Sequence, residues 1–150
     1  MVWGAISACG TLALQTVDGW QTAKKYTEML DNAHLLDKGY ELCGQNWIFQ
    51  QDNASIHNAK LSKDYFLRKN IRLLDHPACS PDLNPIENLW GRMAKEVYKD
   101  GRQFSTVNEL KNAVFDCWDH IENSKLVKLI ESMPKRIFQV IHRNGSYTDY

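Results

Sequence analysis

The sequence has no excess of either charge: eighteen lysines and arginines stand against eighteen aspartates and glutamates in 150 residues. A chain whose main task is gripping nucleic acid usually carries a basic surplus, so any DNA contact must come from local patches or from a region outside these residues. The four cysteines, Cys9, Cys43, Cys79 and Cys117, form no Cys-x-x-Cys pair. Their spacing argues against a zinc knuckle and against a disulfide framework, and it fits buried or idle thiols in a reducing compartment. No apolar run approaches the ~20 residues that span a bilayer. The first residues show no charged region followed by an apolar one, so no signal peptide is visible. Asn53-Ala54-Ser55 and Asn144-Gly145-Ser146 match the glycosylation pattern, but without a secretory route they read as chance. There is no internal repeat, low-complexity stretch or linker. The expectation is one soluble, intracellular domain over residues 1–150 with no membrane partner, and its 43% hydrophobic content is enough for a core.

The apolar pattern changes period along the chain. Val2–Ser7 and Thr11–Val17 read as two strands joined by a turn at Cys9-Gly10, the second closed by Asp18-Gly19. From Thr22 to Leu36 the period becomes helical, with Tyr26, Met29, Leu30, Ala33 and Leu36 on one face and Gly39 placed as a C-terminal stop. Trp47–Gln51 reads as a buried strand, Ile56–Lys69 as a helix, and Ile71–Leu74 as another strand. Pro77 and Pro81 forbid regular structure in the loop from His76 to Leu83. Pro85 opens a helix to about Lys99, and Thr106-x-x-Glu109 is a capping box for the next. Leu126 to Ile130 forms a further helical face that Pro134 interrupts, before a last amphipathic stretch. The order β-β-α-β-α-β-α-α-α predicts an α/β fold with a mixed sheet covered by helices.

Two places can carry chemistry. Asp52-Asn53 lies where a buried strand ends, with His57 five residues after the aspartate. Ligands in α/β folds favour the carboxyl ends of strands, and a carboxylate there is a plausible hard-metal ligand. The alternative is an Asx turn or a cap for the next helix. The second place is Ser80–Gly91, where Asn84 as N-cap, Pro85 at the first helical position and Glu87 two residues later satisfy the rules for a helix start. Glu87 can therefore be a capping-box residue only. Thirty-four residues separate Asp52 from Glu87 and hold one helix and one strand. Such a passage can bring a helix N-terminus beside the neighbouring strand end. Two carboxylates held there could bind the divalent ions used in phosphodiester chemistry, and oxygen ligands favour magnesium or manganese over zinc.

The strings Trp47–His57 and Ser80–Gly91 resemble the second and third catalytic blocks of Tc/mariner-superfamily transposases, and the gap between them matches the branch ending in glutamate. Met1-Val2-Trp3-Gly4 and the tail through Ser132-Met133-Pro134 and Arg136 are similar to that family as well. The resemblance implies a ribonuclease-H-like fold and a DDE endonuclease and strand-transferase domain acting on transposon ends and target DNA. It implies Asp52 and Glu87 as catalytic, metal-binding acids for Mg2+ or Mn2+ in a two-metal site, with Asn53 and His57 in supporting roles. A possible homodimer and a nuclear location follow from the same resemblance. Asp82 and Trp90 fall within the Ser80–Gly91 block and read as shaping the loop and packing the helix.

The family carries its first aspartate on a central strand upstream of the segment resembling Met1–Gly4, so the site is expected to be incomplete here. Asp18 is the one early candidate, and its place after the second strand reads as a turn. The family's upstream DNA-binding helix-turn-helix is not found in this sequence. Without the central strand, the hairpin and the strand ending at Asp52 lose a hydrogen-bonding neighbour, and buried unpaired amides cost ~1–3 kcal/mol each. The expectation is a catalytic domain truncated at its N-terminus, inactive and poorly stable alone. The alternative function is a non-catalytic nucleic-acid-binding or interaction remnant.

Overall fold

Val2–Ser7 (β1) and Gly10–Thr16 (β2) pair antiparallel, as the alternating apolar residues and the intervening turn require. Trp3 and Ala5 point to one face of this hairpin, while Gly4 and Ile6 point to the other. The register shifts between Ala5 and Ile6, leaving Leu12 as an extra residue on β2. The bulge turns Leu12 onto the Ala5 face while Leu14 stays on the opposite one, a split that a period of two does not produce. The computed structural model describes residues 1–150.

Helices cover both faces. On one lie Ala23–Asn32 (α1), Leu35–Cys43 (α2), Ser55–Asn58 (α3) and Lys60–Arg68 (α4). Tyr26, Leu30, Leu35, Tyr65, Phe66 and Ile71 close around Ala5 there. Against the other face, Pro85–Val97 (α5), Val107–Asp119 (α6) and Asn123–Glu131 (α7) bury Leu89, Met93, Trp118, Leu126 and Leu129 around Leu14. Met133–His142 (α8) follows α7, and Pro134 starts it instead of interrupting α7.

Ile48–Phe49 (β3) and Arg72–Leu73 (β4) form a second, parallel ladder. The mixed sheet therefore exists as two separate two-stranded pieces, in which β1 bonds only to β2 and β3 only to β4. A cleft of about 360 Å3 lies between the pieces, lined by β1 along its length and by Trp47–Asp52. The strand expected over Trp47–Gln51 shrinks to two residues, because pairing with β4 holds only Ile48 and Phe49 in ladder geometry.

Two helices and one loop differ locally from the sequence reading. The helix expected over Thr22–Leu36 breaks at His34, whose backbone is left-handed (φ 52°). That turn lets Leu30 and Leu35 enter the same core, which five residues of continuous helix would place well apart around the axis. The helix expected over Ile56–Lys69 breaks at Ala59, which is extended (ψ 144°). The buried Ser62 hydroxyl donates to Ile56 O at 2.6 Å and so satisfies a carbonyl that the break releases. Pro81–Leu83, expected to be irregular, forms a 3-10 turn.

Gly39 is not the helix stop. It sits inside α2, which ends at Gly44 (φ 77°), and a Cβ on Gly39 would lie 2.4 Å from Cζ2 of Trp47. Trp47 is itself held edge-on between Tyr40 and Phe49 and cannot retreat freely. Alanine normally gains ~1 kcal/mol over glycine inside a helix. Here overpacking of ~1–3 kcal/mol outweighs that gain. Gly39→Ala should therefore lower the urea midpoint of unfolding, and a raised midpoint would show the indole to be free to move.

Candidate catalytic carboxylate site

Asp52 follows β3 and β3 follows Trp47, so the strand end delivers the carboxylate to the lining of the cleft. Asp52 Oδ1 accepts the Ala54 amide at 3.0 Å, which is the Asx turn allowed by the sequence. The same oxygen lies 2.5 Å from His57 Nδ1. A carboxylate only accepts, so His57 carries its proton on Nδ1 and donates it. The His57 ring is largely covered, packed at 4.4 Å on Tyr26, while Asp52 is more than half exposed. Tyr26 in turn donates its hydroxyl to Gln51 Oε1 at 2.6 Å, and burial pushes its ionisation far above the usual phenol range. One Asp52 oxygen is thus fixed from below, and no hydrogen bond occupies Oδ2.

Glu87 stands in the first turn of α5. Asn84 caps through its main-chain carbonyl, which accepts the Glu87 amide at 3.1 Å, and its side chain makes no cap bond. The capping box allowed by the sequence is therefore not formed, and the Glu87 carboxylate is left facing the cleft. Burial and the nearby negative charge of Asp52 both raise its pKa above the ordinary carboxylate value. Two carboxylates that repel each other in this way could hold a hard divalent cation. Asp52 and Glu87 also line a second hollow of about 290 Å3 with Asn53, His76 and Ser80, so they stand where the two hollows meet.

The neighbouring residues hold the frame. Asn53 Nδ2 donates to His76 O at 2.5 Å, and Gln50 Nε2 donates to Leu83 O at 2.9 Å and to His76 Nδ1 at 3.2 Å. These bonds tie the strand end to the turn that precedes α5. His76 is buried within that tie. Trp90, one turn beyond Glu87, stacks on Trp118 at 5.7 Å. Both rings lie against Gly4, where a Cβ would be 2.8 Å from each. Asp82 accepts the Thr148 amide at 2.8 Å, and Asp18 pairs with Lys111 at 3.1 Å on the surface. No group of three or more His, Cys, Asp or Glu side chains converges in these residues.

Sequence reasoning missed three supports: the Tyr26 platform, the Gln50 tie and the burial of Arg136. Tyr26 was legible only as one apolar position of a helix, and a glutamine between Phe49 and Gln51 carries no signal of its own.

The model of the DDE superfamily endonuclease family matches residues 1–111. The chain belongs to that family, in its Tc1/mariner transposase branch. Over all 150 residues it is 39% identical to the Tc3 transposase of Caenorhabditis elegans, covering 45% of that protein. It is 35% identical to the Tcb2 transposase of Caenorhabditis briggsae, covering 54%. The chain thus spans about half the length of the curated relatives it matches. Its fold is similar to the Mos1 transposase catalytic domain solved with Mn (TM-score 0.86, 21% identity), covering 99% of this chain and 76% of that one. The fold is therefore ribonuclease-H-like, as expected.

Proposed function

We propose that Asp52 and Glu87 are two of the acids of a transposase that cuts and joins DNA strands. The observation that carries this reading is the meeting of the two carboxylates at one cleft, with oxygens left free and with burial, then Asp52, raising the pKa of Glu87. The names of the relatives support it, since Tc3 and Tcb2 are transposases. So do the Mos1 catalytic-domain structures with Mn and with Mg. Bound Mg2+ or Mn2+ would supply Lewis-acid polarisation of phosphate and activation of an attacking oxygen. Asp52 and Glu87 would hold it, His57 fixes the orientation of Asp52, and Asn53 holds the strand end against the turn before α5.

A third carboxylate is proposed to enter on an extended segment lying between β1 and β3. Both strands have one edge without a ladder partner, and Asp52 and Glu87 are among the residues that line the cleft. Such a segment would complete the sheet and the acid set together. In these 150 residues no three acids converge, which favours the reading that they do not cut DNA by themselves. DNA is the proposed partner, gripped by local basic patches or by another part of the protein, and the nucleus is the proposed place of action. A dimeric assembly is also proposed, supported by the paired-end complex of Mos1.

Supercoiled plasmid carrying transposon ends, incubated with the 150-residue chain and Mn2+, should stay uncut. Nicking that Asp52→Asn abolishes would overturn the inactive reading and show a complete site.

A further inference from the structure

We propose that Arg136 and the last three residues form a latch that positions the turn before α5, and through it Glu87. Arg136 is fully buried on α8, yet it makes no ion pair, and the charge of Asp82 reaches it only at longer range. Its Nη1 donates to Asp82 O at 2.6 Å, its Nε donates to Ser132 Oγ at 2.9 Å, and its Nη2 has no partner. Burying a guanidinium without a direct ion pair is costly, and burial does lower its pKa, so packing alone is better served by leucine or methionine. What the guanidinium adds is a donor aimed at the Pro81–Leu83 turn.

The tail grips the same residue from its other end. Thr148 N donates to Asp82 Oδ2 at 2.8 Å, and the Tyr150 ring covers the guanidinium at 4.3 Å. Asp149 anchors this segment to α8 through Arg143 at 2.8 Å. Asp82 is thus held at carbonyl and carboxylate by elements more than fifty positions away in sequence. The next residue, Leu83, is tied by Gln50 to the strand end that carries Asp52. The turn is clamped on both sides, which fixes where α5 begins and where Glu87 points. Arg136 and Tyr150 are positioning residues that touch neither acid.

The latch rests on the proposed role of Glu87, and two measurements on the full 150-residue chain keep the readings apart. The first is amide hydrogen exchange, comparing residues 80–88 with α1 and α4. The second is Mn2+ titration. Arg136→Met should speed exchange in 80–88 and weaken Mn2+ binding by about tenfold, as loss of an outer support does at metal sites. Tyr150→Leu, at a partly exposed ring, should shift both in the same direction by less, and it serves if Arg136→Met fails to fold. Exchange that is unchanged in 80–88, or that rises equally in α1 and α4, overturns the latch. Wild-type chain that binds no Mn2+ overturns the role given to Glu87, and the exchange pattern still decides the latch.

Discussion

Glu87→Gln should remove Mn2+ binding at the cleft while leaving the metal-free chain as stable as before, or slightly more so, at neutral pH. With two acids the wild-type chain should bind Mn2+ near 1 mM, about 4 kcal/mol of binding free energy. Loss of one charged ligand should weaken this by more than about tenfold, over ~1.4 kcal/mol. The stability half of the expectation follows from the direction of the Glu87 shift. Burial and Asp52 raise its folded pKa above the unfolded value, so the native state holds its proton to higher pH than the unfolded chain does. Stability contributed by this group is greatest below the unfolded pKa of ~4.3 and falls as pH rises to the folded value. At neutral pH its charge is a small burden, discounted heavily because the group is largely solvated. Glutamine lifts that burden. Metal affinity runs the other way, rising with pH as Glu87 loses its proton. Calorimetric titration and thermal unfolding of both proteins at acid and neutral pH check the two halves. A Glu87→Gln chain that binds Mn2+ as well as wild type would exclude Glu87 as a ligand.

The two acids were legible because each sits at a boundary that local chemistry marks. An apolar burst ending in aspartate marks the strand end, and Asn84-Pro85 marks the start of α5. The sequence left open whether Glu87 was a cap, and only the unused Asn84 side chain and the open cleft decided it. Helix breaks were less legible. His34 and Ala59 turn the chain because Leu35 and Ser62 find tertiary partners on the new course, and no local propensity announces either. Gly39 misled for a related reason. Glycine past an apolar face is a common helix stop, and what it does here is make room for an indole eight residues later. Arg136 was the least legible, since a basic residue in an amphipathic helix reads as solvent-facing until the tail folds back over it.

Trp118→Ala should cost about 3–5 kcal/mol, the range for emptying a large buried aromatic side chain. Trp118 is 4% exposed and joins three elements at once. It belongs to α6, stacks on Trp90 of α5 and meets Gly4 of β1. Gly4→Ala alone should cost about 1–3 kcal/mol, because the new methyl group would press on two tryptophans, each held by the other. The double variant separates contact from coincidence. With Trp118 removed, the methyl group of Gly4→Ala enters the vacated space, so the combined loss should fall short of the sum by ~0.5–3 kcal/mol. The relief stays partial, since Trp90 remains 2.8 Å from that position. Strict additivity in urea unfolding would mean that the two residues do not share one packing site. Coupling would place the support of α5, and hence of Glu87, in a contact that begins at the fourth residue of the chain.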